Sequence, residues 1–200
     1  MSKDLIRYLD PKFKNHKDVI KLDDEIYLYK NFFKKDLIDL ILEGLAPFDL
    51  NQSKKEHFNY EEGDISHLFT YGRISHDIGF YLLGFHDNIV NLIAPEYWTN
   101  KMNSLIRMLP GDLHEPTYTN FTPVEEVEIK IEYKICAFFG DFTGGEIYFP
   151  DRQIEYKPNS GDLIIFSSNP EYRNGVKKIL SGVRYSYMDF MYQYPGLFIA

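Results

Sequence analysis

The sequence predicts an α+β chain, mainly β, in which helices of the N-terminal half segregate from an antiparallel β-sandwich or barrel. Three observations carry this. Between Gly144 and Phe190 three short runs rich in β-branched and aromatic residues, Ile147 to Phe149, Leu163 to Phe166 and Val183 to Phe190, are each preceded by turn chemistry: Gly144-Gly145, Pro158-Asn159-Ser160-Gly161 and Ser181-Gly182. Residues Val127, Ile129, Ile131 and Tyr133 alternate with Glu126, Glu128, Lys130 and Glu132, which sends one face to a core and the other to water. Upstream, apolar residues instead recur at three- and four-residue spacing, the period of a helix face.

In chain order, 1–24 is polar and charged and carries Pro11, so an extended lead-in segment is expected. Glu25 to Lys30 alternates as a strand. Leu37, Ile38, Ile41 and Leu45 share one helical face, and Pro47 ends that helix. Asn51 to Gly63 has almost no apolar residue and reads as an exposed loop. A second helix is expected from Asp77, through Ile78, Tyr81, Leu82, Phe85, Ile89 and Ile93, with Pro95 as its stop and Gly79 and Gly84 weakening its first half. Strand character starts at Asn103, is cut at Pro110-Gly111 and returns as one long strand from Glu125 that runs on through Lys134 to Phe139. The expected interior of the two-sheet unit includes Ile135, Ile147, Phe149, Leu163 or Ile164, and Phe166. With 200 residues and no linker rich in Pro, Gly or Ser, the expectation is one domain over 1–200: the lead-in, helical support with one strand over 25–100, and a β core over 101–194.

Composition excludes several classes. Lys and Arg number 22 against 30 Asp and Glu, and no stretch concentrates the cations, so no nucleic-acid partner is expected. The expectation is also no membrane: the start of the chain has no apolar signal core, and no run approaches the roughly 20 apolar residues of a span. A cytoplasmic or virion location follows from the same reading. The single cysteine, Cys136, sits in an apolar run and reads as a buried, inert thiol. No serine elbow and no phosphate-cradling loop before a helix is present, and none of the six histidines lies beyond His114.

The runs KICAFFGDFTGGEIYFP, YKPNSGDLIIF and YRNGVKKILSGVRYSYMDF together resemble the second half of 2-oxoglutarate/Fe(II)-dependent dioxygenases of the prolyl-4-hydroxylase-like class. That family shows GGE-x-x-FP, then P-x-x-GD-x-x-x-F, then H-x-V and G-x-R-x-S in this order. The resemblance continues more weakly upstream to about Glu25. It implies a double-stranded β-helix, or jelly roll, packed against N-terminal helices. It also implies Fe(II) and 2-oxoglutarate as cofactors of an active member, the iron held by two histidines and one carboxylate.

Carried onto this chain, the resemblance assigns Arg184 to the arginine that pairs with the distal carboxylate of 2-oxoglutarate. The second histidine falls on Asn174. The H-x-D pair falls on Tyr118 and Asn120, or, one residue earlier, on Thr117 and Thr119. Amide, phenol and hydroxyl groups are much poorer iron ligands than imidazole and carboxylate. Asp112 and His114, two apart on an extended chain, offer a rearranged ligand pair or, more simply, a surface pair. Two functional classes therefore stand. One is a non-catalytic binding or structural/assembly module with a degenerate iron site, a pseudoenzyme whose partner is a protein, an assembly such as a virus particle, or a dicarboxylate. The other is an active hydroxylase of a protein or small-molecule substrate that uses the rearranged ligands. The lack of any histidine after His114 favours the first.

Overall fold

The strands Tyr133–Phe139, Leu163–Ser167 and Arg184–Tyr192 are buried on both faces, which explains the nearly continuous apolar runs in their sequences. The structure is a computed structural model, and it describes residues 19–45, 66–69, 98–99, 104–118, 121–124 and 127–192. In chain order the elements are β1 (Ile20–Asp23), β2 (Ile26–Tyr29), α1 (Lys35–Leu45), β3 (Ser66–Phe69), β4 (Trp98–Thr99), β5 (Ser104–Met108), β6 (His114–Thr117), β7 (Phe121–Val124) and β8 (Val127–Lys130). They continue with β9 (Tyr133–Phe139), β10 (Phe142–Gly144), β11 (Ile147–Phe149), β12 (Ile154–Tyr156), β13 (Leu163–Ser167), β14 (Asn174–Val176), β15 (Ile179–Gly182) and β16 (Arg184–Tyr192).

The major sheet runs β1-β2-β13-β9-β16-β5-β3, with β4 also on β16. A minor sheet runs β12-β11-β14-β6, and β10-β15 and β7-β8 form two-stranded ribbons. Every pairing is antiparallel. Two antiparallel sheets face to face with helix on one outer face make the expected jelly roll. Among the described residues, no helix is long and apolar enough to cross a membrane.

Alternation divides the core in two. Ile135, Ala137 and Phe139 of β9 and Leu163 and Ile165 of β13 face α1, where they meet Leu37, Ile41 and Leu45. Cys136 and Phe138, with Ile164 and Phe166, face the minor sheet and pack on Ile147 and Phe149. The register Ile164↔Cys136 and Phe166↔Lys134 keeps these residues on one side. Phe149 and Phe166 meet edge to face, with centroids 5.1 Å apart.

Several expectations change. Ile135 belongs to the helix-side core and not to the space between the sheets, because it is odd in the alternation that turns Cys136 inward. The long strand from Glu125 is broken: β8 ends at Lys130 and pairs with β7, and β9 starts afresh at Tyr133. The break is anchored at Ile131, fully buried, whose carbonyl accepts a hydrogen bond from the Ser168 hydroxyl. Among the described residues, 25–100 includes three strands, β2, β3 and β4, where one was expected, and the end of the lead-in is a strand, β1. The expected loop over Asn51 to Gly63 and the helix from Asp77 lie outside the described residues.

Two motif residues have structural roles. Asp162 is buried, and its carboxylate accepts from the Asn31 and Asn159 backbone N–H groups at 2.9 and 2.8 Å and from the Tyr156 hydroxyl at 2.6 Å. It thereby ties β2, β12 and the Pro158 turn to one point. Gly145 has φ +69, and a Cβ there would stand 2.5 Å from Ile179 Cδ1 and 3.0 Å from Arg184 Cδ. The second glycine of the GGE motif thus makes room for the Arg184 stem.

The segment that leads into β14 is held by side chains. Arg152 pairs with Asp23 of β1 and lies 5.0 Å from the Tyr172 ring, while Arg173 bonds Asp151 at 2.7 Å.

Phe166→Ala is expected to cost about 3–5 kcal/mol, since a fully buried ring leaves a cavity that the sheets can only partly close. Denaturant unfolding measures this. The hydrogen bond from Arg152 holds the Asp23 carboxyl below its ordinary value. A lowered carboxylate stabilises the fold above its unfolded pKa, and that contribution is lost as pH falls through the lowered one. Stability should drop as acid passes through the carboxylate range, and Asp23→Asn should flatten that part of the profile.

Candidate functional site

Between the two sheets lies a cavity of about 120 Å³. The major sheet contributes Lys134 and Cys136 from β9, Arg184, Ser186 and Met188 from β16, and Ile106 and Met108 from β5. The registers Ser186↔Phe138, Met188↔Cys136 and Arg184↔Met108 explain why these even-numbered residues share a face. The minor sheet contributes Ile147, Asn174, Val176, His114 and Thr117.

His114 and Thr117 are three residues apart and would point to opposite faces of a regular strand. The register between β6 and β14 shifts between Asn174↔Thr117 and Val176↔His114, three residues on one strand against two on the other. This bulge brings both side chains to the cavity. Gly175 lets the strands approach there: a Cβ would stand 2.7 Å from the His114 carbonyl oxygen and 2.7 Å from the Tyr148 ring.

Arg184 is 2% exposed. Its Nη1 donates to Ser186 Oγ and reaches Met108 Sδ at 3.4 Å, and its guanidinium lies 5.0 Å from the Phe138 ring and 5.9 Å from that of Phe142. Its buried Nε has no hydrogen-bond partner among the described residues. Lys134 is 4% exposed, with Nζ 5.8 Å from the centroid of the Phe166 ring. No Asp or Glu among the described residues lines the cavity.

Burial is the main cause of the charge shifts. It brings the Lys134 ammonium down to about 8 and the Arg184 guanidinium down to about 10, so both remain cations at neutral pH. Cys136 goes the other way, up to about 11, since burial disfavours its thiolate more than the nearby Arg184, Ser186 and Lys134 favour it. The thiol is thus neutral and unreactive, as its apolar surroundings imply.

Of the residues singled out from the sequence, the structure brings Arg184, Asn174 and His114 to this one cavity. Asp112 does not line it. Its carboxylate accepts from the Leu109 N–H at 2.7 Å and closes the Pro110-Gly111 turn, with its own carbonyl bonded by the Ile179 N–H at 2.9 Å. Tyr118 is 51% exposed, and Thr117 stands opposite Asn174. Asn120 lies outside the described residues. Lys134 was missed because it opens the apolar run of β9 and continues a strand that alternates charged residues. The signal was its parity: it is even, like Cys136 and Phe138, which face inward.

The iron that the sequence resemblance implies does not find a fitting donor set among the described residues. The cavity offers one imidazole, an amide and a hydroxyl, with two cations beside them. No group of three or more His, Cys, Asp or Glu able to hold a metal occurs among these residues. Two uncompensated cations also oppose a third positive centre in a medium that screens poorly.

The register across β6 and β14 has a direct test. Thr117→His combined with Asn174→His should create a two-imidazole site that binds Ni(II) or Zn(II) measurably more tightly than wild type. Tyr118→His with Asn174→His should gain much less, as position 118 faces solvent. Calorimetric titration of the two double variants reads the difference.

No family model matches the chain, and no curated protein matches it either. Solved structures do. The viral collagen prolyl hydroxylase of Paramecium bursaria Chlorella virus-1, in its 2-oxoglutarate complex, superposes with a TM-score of 0.63 at 12% identity, over 86% of this chain and 97% of that one. A Trichoplax adhaerens prolyl hydroxylase in complex with a hypoxia inducible factor peptide fragment gives 0.63 at 11% identity, over 96% and 94%. A 2-oxoglutarate-Fe(II) oxygenase family oxidoreductase from Burkholderia pseudomallei gives 0.56 at 15%, over 92% and 91%. At these identities the shared property is the fold, and with the motif order and the sheet topology it places this chain on the double-stranded β-helix of prolyl-4-hydroxylase-like 2-oxoglutarate oxygenases.

Proposed function

We propose that this protein is a non-hydroxylating member of the fold that has kept the anion end of the cosubstrate cavity and lost the metal end, and that it works as a carboxylate-binding module. One observation carries the reading. A buried arginine, with an unpartnered Nε and no carboxylate beside it among the described residues, lines a cavity whose remaining polar side chains suit hydrogen bonding better than iron ligation. A buried cation without a counter-ion is costly, and an anionic ligand relieves that cost. Arginine is the side chain suited to bidentate carboxylate recognition.

The chain's own residues define what the cavity does. Arg184 binds the carboxylate, Phe138 and Phe142 hold the guanidinium plane, Met108 and Ser186 limit its swing, and the apolar lining of Ile147, Val176 and Met188 excludes water from the ligand's carbon chain. Fe(II) and 2-oxoglutarate would be the cofactors of an active relative. In this chain the donors among the described residues suit an anion-binding cavity and not a metal, so hydroxylation is not part of its role. A protein partner or an assembly role is compatible with such a module, as is a location in the cytoplasm or a virion.

The test is thermal unfolding in a chelator with 2-oxoglutarate or succinate. Binding to the folded state raises the melting temperature as ln(1 + [L]/Kd), about 2.7 kcal/mol of stabilisation at a hundredfold excess over Kd. The expected result is a saturable rise that Arg184→Met abolishes. Stoichiometric iron taken up anaerobically with 2-oxoglutarate, and lost on His114→Ala, would overturn the reading and restore the hydroxylase.

A further inference from the structure

Lys134 is the feature of this cavity that the carboxylate-binding reading does not use. An ammonium that is 4% exposed, at the start of a central strand, faces the same space as Arg184 with no acid beside it among the described residues. The groups that face it from the surrounding elements are Cys136 on its own strand, Arg184 on β16, His114 on β6 and Asn174 on β14. None is an anion, since burial keeps the Cys136 thiol protonated. The cavity thus carries two cations, one beside Phe166 and the other over Phe138.

We infer that Lys134 takes the place of the metal as the second anchor of the ligand, so that the cavity clamps a short α,ω-dicarboxylate between two cations without any metal ion. This rests on the reading of the cavity as a metal-free carboxylate pocket and adds the ligand's second charge. Geometry sets the length. Lys134 Nζ stays close to Phe166, its cross-strand neighbour, and the Arg184 guanidinium is drawn back over Phe138 and bonded to Ser186, which is paired with Phe138. Lys134 and Phe138 are four residues apart on β9, about 13 Å between backbone positions at the rise of an extended strand, and this spacing sets the scale of the gap between the two heads. A charge-assisted hydrogen bond of roughly 2.8 Å at each end leaves about 7 Å for the ligand, the length of a five-carbon dicarboxylate. The apolar lining between the heads matches the methylene chain.

The clamp makes a demand that a metal site does not. A metal chelates the oxo group and one carboxylate together, so it prefers 2-oxoglutarate to glutarate. Two cations read only the terminal carboxylates and leave the 2-oxo group unread.

Calorimetric titration of the full chain, with chelator present, tests this with four ligands: glutarate, 2-oxoglutarate, succinate and the monocarboxylate valerate. The expected result is that glutarate and 2-oxoglutarate bind within a fewfold of each other and at least tenfold more tightly than valerate. Lys134→Gln and Lys134→Met should each bring glutarate down to the level of valerate and leave valerate unchanged, while Arg184→Met weakens every ligand. Both lysine variants remove an uncompensated buried charge, so their melting temperatures should equal or exceed that of wild type, and unfolding scans confirm that the binding loss is local. If valerate and glutarate bind alike, with Arg184 still required, the clamp is wrong and the carboxylate pocket stands. If no carboxylate binds at all, or if 2-oxoglutarate binds only once Fe(II) is added, both fall.

Discussion

The two-residue period of the central strands is the constraint on which this structure depends. In β9, β13 and β16 successive residues turn to opposite buried faces, so a change of one position in register would exchange Cys136, Phe138 and Ser186 with Ile135, Ala137 and Tyr187. Helix packing on one face and the ligand cavity on the other are therefore set together. The two cations of the cavity share parity: Lys134 and Arg184 both fall on the face that turns away from α1. Sterics support the same register, since Gly145 packs closely against Ile179 and the Arg184 stem, where a Cβ would stand 2.5 and 3.0 Å from them.

Much of the β core was legible because alternation and turns are local signals. The runs Ile147 to Phe149, Leu163 to Phe166 and Val183 to Phe190 became β11, β13 and β16 with shifts of a residue or two, and Leu37, Ile41 and Leu45 face the sheet from α1 as their spacing implies. What was not legible depends on long-range pairing. The interruption between β8 and β9 follows from the burial of Ile131 and its bond to Ser168, 37 residues away. The bulge that places His114 and Thr117 on one cavity wall exists only because β6 is laid against β14. Asp112 looked like half of a ligand pair by spacing, and it is a turn residue by hydrogen bonding.

Within the site, the sequence motifs located Arg184 and Asn174, and the resemblance attached a chemistry to them. The structure adds the electrostatic context that motifs do not encode. A facial triad draws on anionic and neutral donors that together tolerate a divalent cation. This cavity instead pairs neutral donors with two cations, so its electrostatics favour an anion over a divalent metal ion. The apolar alternation that holds a fold intact does not by itself set the charge of the side chains lining its cavity.

Strand order has a consequence for how the chain reaches this state. The last of the described strands, β16, lies in the middle of the major sheet, between β9 and β5, and β4 also pairs with it. Until it is made, β1-β2-β13-β9 and β5-β3 are two separate half-sheets, each with an open edge. Folding of the major sheet therefore cannot finish progressively during synthesis. It closes in one late step, and before that step the nascent protein offers two unpaired apolar edges to its surroundings.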